Sequence, residues 1–205
     1  MTIEVVPVTE GQWDDLAVVF GRRATSPSSC WCRLWSGGGR GDEGNRDALL
    51  DEIRSSAVPP GLMAYDDGVP VAWTRIGRRD AYPLVTGNRA LAKLFDPDPD
   101  AWWAACFVVR ADRRRTGVGA ALLAAAVEFA GEHGARVVEG YPVDVAALTG
   151  KAGTSSLYPG TLALFAGAGF EEIGRTVPAR PLVRKVLRGR TGQDGPAVSA
   201  GGTPG

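Results

Sequence analysis

The chain alternates between two apolar periodicities. Ile3 to Val8 reads as a strand. Thr9 with Gln12 makes the capping-box spacing, and Trp13, Leu16, Ala17 and Phe20 follow at helical intervals until Gly21. A loop rich in Gly, Ser, Cys and Trp comes next. A second helix is predicted from about Asn45, with Leu49, Leu50 and Ile53 on its apolar face, and "VPPG" stops it. "GLMAYDDGVPVAWTRIG" (61–77) predicts a hairpin, two apolar runs joined at Asp67-Gly68.

Residues 78–100 read as irregular, with one short helix over Arg89–Leu94, and "DPDPD" closes them. "AWWAACFVV" (101–109) is apolar without interruption, as expected of a strand covered on both faces. A helix from Gly117 puts Val118, Leu122, Ala126 and Phe129 on one stripe and ends near Gly131–Gly134. "ARVVEGY" is the next strand, followed by a short helix near 160–167 and strands near 170–174 and 182–187. The strand–helix–strand unit over 101–141 implies a parallel pairing. The fold class is α/β, a central sheet with helices on both faces. Residues 1–188 are expected to form a single domain.

Composition narrows the class. Lys+Arg and Asp+Glu are both 23, so the basic field of a nucleic-acid binder is missing and no nucleic-acid partner is expected. No run approaches the roughly 20 apolar residues of a membrane span, and the first fifteen residues lack a signal peptide's pattern. Three cysteines do not make a disulfide framework. The expectation is a soluble, reduced, cytoplasmic protein without a membrane partner; a homodimer is left open. The segment 189–205, made mostly of Gly, Pro, Ser, Thr and Ala, is expected to be a disordered tail.

Against this neutral background "ADRRRTGVGAALL" (111–123) is a local concentration of charge. Helix N-termini expose unpaired N–H groups and carry about half a positive charge. Gly117 and Gly119 let an anion approach that backbone, and Arg113, Arg114 and Arg115 add charge-assisted donors. A pyrophosphate fits. The P-loop pattern is absent, and the dinucleotide pattern G-x-G-x-x-G fails at Leu122, although Glu139 lies at the distance that a ribose-binding acid would occupy.

Arg114-Arg115-Thr116-Gly117-Val118-Gly119 matches R-x-x-G-x-[GA] after a buried strand and at the start of a helix. It resembles motif A of the GNAT acetyltransferase superfamily. The order of elements over about residues 3–187 resembles that family's layout, as does "LFAGAGFEEIGR" with Gly169-Phe170. The resemblance implies a mixed sheet of about seven strands flanked by about four helices. It implies an acetyl-CoA cosubstrate whose pyrophosphate is held by Arg114, Arg115, Thr116, Gly117, Val118, Gly119 and Ala120. The backbone at Phe107, Val108 and Val109 would pair with the pantetheine arm, and the next strand would splay away to admit the thioester. Backbone N–H groups there would stabilise the oxyanion.

The resemblance also exposes a gap. Many members protonate the leaving thiolate with a tyrosine four residues before the Gly-Phe, where this chain has Phe165. A thiol with a pKa of about 8.5 leaves acceptably without help. Tyr141 and Tyr158 are the substitute acids, each also readable as a packing residue. Glu139 is the general-base candidate, with a structural ion pair as the equal alternative. The only histidine, His133, reads as a solvated residue at a helix end. In "SSCWCRLWSGGGRGD", Trp31 and Trp35 with Arg33 are the candidate acceptor wall and carboxylate anchor, or else a tryptophan pair over the core. The glycines 37–39 suggest that this loop moves. Cys30 and Cys32 are too few for a zinc site, and no metal is expected.

The function expected is acetyl transfer from acetyl-CoA to a primary amine by direct attack on the thioester. A coenzyme-A-binding module without catalysis and a nicotinamide-dinucleotide-binding protein are the alternatives. The acceptor stays open among a small amine, an antibiotic, a peptide N-terminus and a lysine side chain.

Overall fold

A computed structural model describes residues 2–26, 29–38, 44–151 and 153–187. The tail expected at 189–205, and Gly39 of the acceptor loop, lie outside these residues. Strands are β1 (Ile3–Pro7), β2 (Gly61–Asp66), β3 (Val69–Arg78), β4 (Ala101–Val109), β5 (Val137–Gly140), β6 (Glu171–Val177) and β7 (Arg180–Val186). Helices are α1 (Trp13–Phe20), α2 (Asn45–Ser55), α3 (Pro83–Thr86), α4 (Arg89–Ala92), α5 (Val118–Glu132) and α6 (Leu162–Gly167). The capping box forms as read: Gln12 Oε1 accepts from the Thr9 N–H at 2.8 Å. It opens a 3-10 turn that runs into α1. Segment 78–100 holds two one-turn helices rather than one, because Pro83 starts a turn of its own and Asn88 caps the next.

The sheet order is β1-β2-β3-β4-β5-β7-β6, antiparallel throughout except for the parallel β4–β5 pair that α5 crosses. On one face α5 buries Val118, Leu122, Ala126 and Phe129, the stripe read from the sequence, against Leu62, Ala72, Trp102 and Ala104. The opposite face packs α1 and α2, through Leu16, Phe20, Leu49 and Ile53, on Met63, Trp73, Cys106 and Val108. A third cluster joins α3 and α4 to Trp103, Ala105, Tyr141 and Leu182.

β4 changes its alternation midway. Arg75 of β3 pairs with Cys106 and Ile76 with Ala104, so Ala105 is one residue too many. This is a bulge, and it re-aims the side chains that follow it. Trp102 and Ala104 face α5 before it, and Phe107 faces α5 after it. Ala105 and Cys106, adjacent in sequence, both face away from α5.

β5 pairs with β4 only from Ala101↔Val137 to Ala104↔Gly140. Beyond that point Phe165 of α6 fills the space between the strands. It is fully buried, edge-on to Phe107 at 5.8 Å and to Phe170 at 4.9 Å. A Cβ on Gly140 would lie 2.4 Å from Phe165 Cε1, and one on Gly160 would lie 2.8 Å from Cε2. The ring therefore needs bare backbone on both sides. Gly140→Ala is expected to destabilise the fold by about 1–3 kcal/mol, the usual cost of overpacking a rigid core site. Denaturant unfolding measures it, and an unchanged midpoint would show that α6 can shift freely.

Candidate active site

The divergence of β4 from β5 opens two cavities on a shared wall. The smaller, about 250 Å³, is lined by Phe107, Val109, Arg114, Gly119, Leu157, Tyr158, Gly160, Thr161 and Leu164. The larger, about 540 Å³, is lined by residues that include Arg23, Cys30, Cys32, Leu34, Trp35, Ala105, Cys106, Tyr158 and Arg180. Tyr158 lines both. The bulge in β4 divides them: Ala105 and Cys106 face the larger cavity, whereas Phe107 and Val109 border the smaller.

The smaller cavity ends at the N-terminus of α5. Gly117 is its N-cap at φ +90°, no side chain caps the helix, and no acidic residue stands in its first turn. Arg115 also takes a left-handed conformation, at φ +64°. Two residues with positive φ so close together turn the loop sharply into the helix and leave the glycine backbone bare. Arg114 lines the groove and donates from Nε to the Val109 carbonyl at 3.3 Å. Thr116 Oγ1 donates to the Arg113 carbonyl at 2.7 Å and braces the loop. Arg113 is paired with Asp66 at 3.4 Å, so it contributes less free charge than the sequence implies. The Phe107 N–H donates to the Tyr158 carbonyl at 2.6 Å.

In the larger cavity the sulfurs of Cys32 and Cys106 lie 2.8 Å apart. Their hydrogen bond and burial push the Cys106 thiol well above its ordinary range. Burial also opposes the Cys32 thiolate, but the Cys106 hydrogen bond and the nearby charge of Arg75 hold its pKa below the ordinary value. Burial pushes the half-buried Cys30 up. No group of three or more His, Cys, Asp or Glu converges among the described residues.

The structure sorts the acceptor residues read from the sequence. Trp35 lines the cavity, edge-on to Trp103 and Tyr141. Trp31 does not: it is 2% exposed and stacked between Trp13 at 5.3 Å and Phe20 at 4.7 Å. Arg33 is committed to Glu52 at 2.9 Å and to the Ala48 carbonyl, which pins the loop to α2. The tryptophan pair is therefore split, because Trp31 and Cys32 have positive φ and the chain reverses between the two rings.

The acid–base candidates separate in the same way. Glu139 is fully buried and lines neither cavity; Arg79 donates to its Oε2 at 2.8 Å, and Arg184 donates to its Oε1 at 2.7 Å. Tyr141 bonds Thr176 through its hydroxyl and carries the Arg180 guanidinium 4.1 Å above its ring. Arg23, Cys106 and Arg180 had no motif to mark them. Arg23 follows α1 in a 3-10 helix over Gly21–Thr25, and Arg180 opens β7 after Pro178.

Comparison with known proteins follows this geometry. The family model described as Acetyltransferase (GNAT) family matches residues 29–146. No curated protein sequence matches the chain. Among solved structures, a ribosomal-protein-alanine N-acetyltransferase from Brucella melitensis is 19% identical, with a TM-score of 0.54, over 90% of this chain and 99% of that one. The PaiA N-acetyltransferase from Thermoplasma acidophilum, in complex with coenzyme A, is 14% identical at a TM-score of 0.54, covering 91% and 100%. The YncA protein from Salmonella typhimurium, with acetyl-CoA, is 13% identical at 0.56, covering 95% and 99%. These structures share the fold: a seven-stranded mixed sheet with flanking helices. With the family model matched over more than half its length, the chain belongs to the GNAT acetyltransferase family.

Proposed function

We propose that the protein transfers an acetyl group from acetyl-CoA to a primary amine by direct attack on the thioester. The observation that carries this reading is the pair of cavities meeting at Tyr158, on either side of the bulge at Ala105. The donor's pyrophosphate belongs at Gly117–Ala120 beside Arg114, and its pantetheine arm runs along Phe107–Val109. Relatives with this fold bind coenzyme A and acetyl-CoA, which supports the assignment. For the thioester carbonyl to accept from the Phe107 N–H, the Tyr158 carbonyl must release it, so donor binding shifts the segment Leu157–Gly160.

Tyr158 is the group best placed to protonate the leaving thiolate, since among the described residues it alone borders both cavities. Glu139 is a positioning residue: with both oxygens held by arginines it ties the long 78–100 segment and β7 to β5. No carboxylate lines either cavity among the described residues. The amine therefore reaches the thioester already neutral, and the cationic Arg23 and Arg180 disfavour its ammonium form.

Acetyl-CoA is expected to raise the melting temperature, because it engages the folded loop only. Arg114→Ala with Gly119→Asp should abolish the shift; a full shift in that variant would put the donor elsewhere. Tyr158→Phe should lower kcat by about 10²–10⁴-fold with little change in donor affinity. Thiol release from wild type by no amine at all, despite donor binding, would leave a coenzyme-A-binding module.

The pH profile separates the roles of the acids. Without a protein base, kcat/KM should rise tenfold per pH unit up to the free amine's own pKa. Glu139→Gln should preserve that slope and lose about 3 kcal/mol of stability, as expected when a buried ion pair is broken. A slope that flattens at low pH in wild type and steepens in Glu139→Gln would instead make Glu139 the base.

A further inference from the structure

The larger cavity has a charge pattern that acetyl transfer does not require. Two arginines, Arg23 and Arg180, line it, and among the described residues no carboxylate does. The arginines packed nearby each have a carboxylate partner: Arg33 and Arg75 share Glu52, and Arg79 and Arg184 share Glu139, with Asp96 also on Arg184. Arg23 and Arg180 have no carboxylate partner among the described residues; aromatic rings hold them instead. Arg23 lies 4.6 Å from the Tyr158 ring centroid and donates from Nε to the Phe20 carbonyl at 3.3 Å. Arg180 lies 4.1 Å from the centroid of Tyr141.

Arg23 spends its Nε on the Phe20 carbonyl and Arg180 hydrogen-bonds Tyr141, and the remaining N–H donors of each guanidinium suit a carboxylate. Burial without a counter-charge is costly for a cation, and it lowers the Arg180 pKa. An anion in the cavity would offset that cost. The volume lies in the range of small-molecule sites, about 300–1,000 Å³, so the cavity can take a whole small acceptor. A lysine- or arginine-rich peptide segment would meet two like charges and gain nothing from them.

We propose that the acceptor is a small primary amine that also bears a carboxylate, an amino acid in the broad sense. Arg23 and Arg180 hold the carboxylate, and Trp35 and Leu34 pack the rest of the molecule. The anchor assigned from sequence to Arg33 thus passes to Arg23, at the start of the same loop, and to Arg180 of β7. The fate of the amine rests on the acetyl-transfer reading above, whereas the preference for a carboxylate is a binding property that needs no turnover.

The test uses the full chain saturated with coenzyme A, which is unreactive. Calorimetric titrations compare the proteinogenic amino acids, β-alanine and γ-aminobutyrate, each against its decarboxylated amine. At least one pair should show tenfold or greater preference for the carboxylate member. Arg180→Gln and Arg23→Gln should each reduce that preference tenfold or more, and Arg180→Lys, which keeps charge without the fork, should retain part of it. Melting temperatures of the variants establish that they fold. Equal affinity within every pair, preference for the decarboxylated amines, or no binding of any member overturns the proposal. If coenzyme A itself does not bind, the acetyl-transfer reading falls, and the same titrations on the free protein still decide the preference.

Discussion

The parting of β4 from β5 after Ala104↔Gly140 is the constraint on which the site depends. A sheet that stayed paired would satisfy its backbone internally and offer no slot. Two local features force the separation. The bulge at Ala105 turns β4, and Phe165 occupies the space that a continued β5 would need. One consequence is a pair of cavities on a common wall. Another is that backbone N–H groups of β4 must find other partners, as Phe107 does with Tyr158.

Phe165 acquires a physical explanation in this arrangement. At the position where the family resemblance implies a tyrosine, the ring is here enclosed by Phe107, Phe170, Gly140 and Gly160. A hydroxyl in that enclosure would be buried against backbone with little room, so the position serves as a wedge. Tyr158 borders both cavities, and the proposed displaced acid rests on that position.

Arginine is used in three distinct ways around this one sheet. At the mouth of α5 it adds charge to an uncapped helix terminus, a local electrostatic device. Around Glu139 and Glu52 it neutralises buried or half-buried acids and fastens long connections to the sheet. In the larger cavity it lies over aromatic rings, Arg23 on Tyr158 and Arg180 on Tyr141, with no carboxylate partner among the described residues. Sequence composition, balanced at 23 of each charge, conceals this division.

What the sequence determined by itself was everything governed by near neighbours. The capping box at Thr9, the hairpin at Asp67-Gly68, the apolar stripe of α5 and the Arg/Gly loop before it depend on contacts a few residues long. They were legible from spacing alone, and with the element order they implied the family's fold. What only the tertiary structure decided were the pairings across long separations. Glu139 meets Arg79 and Arg184, 60 and 45 residues away, and lines neither cavity. Trp31 and Trp35, four positions apart, were separated by a reversal of the backbone, one into the core and one onto the cavity wall. Arg23 and Arg180 became neighbours of one cavity only because β7 inserts between β5 and β6 while α1 packs on the opposite side of β4. Local propensity carries no information about such encounters, since each is set by which surfaces the whole chain must bury together.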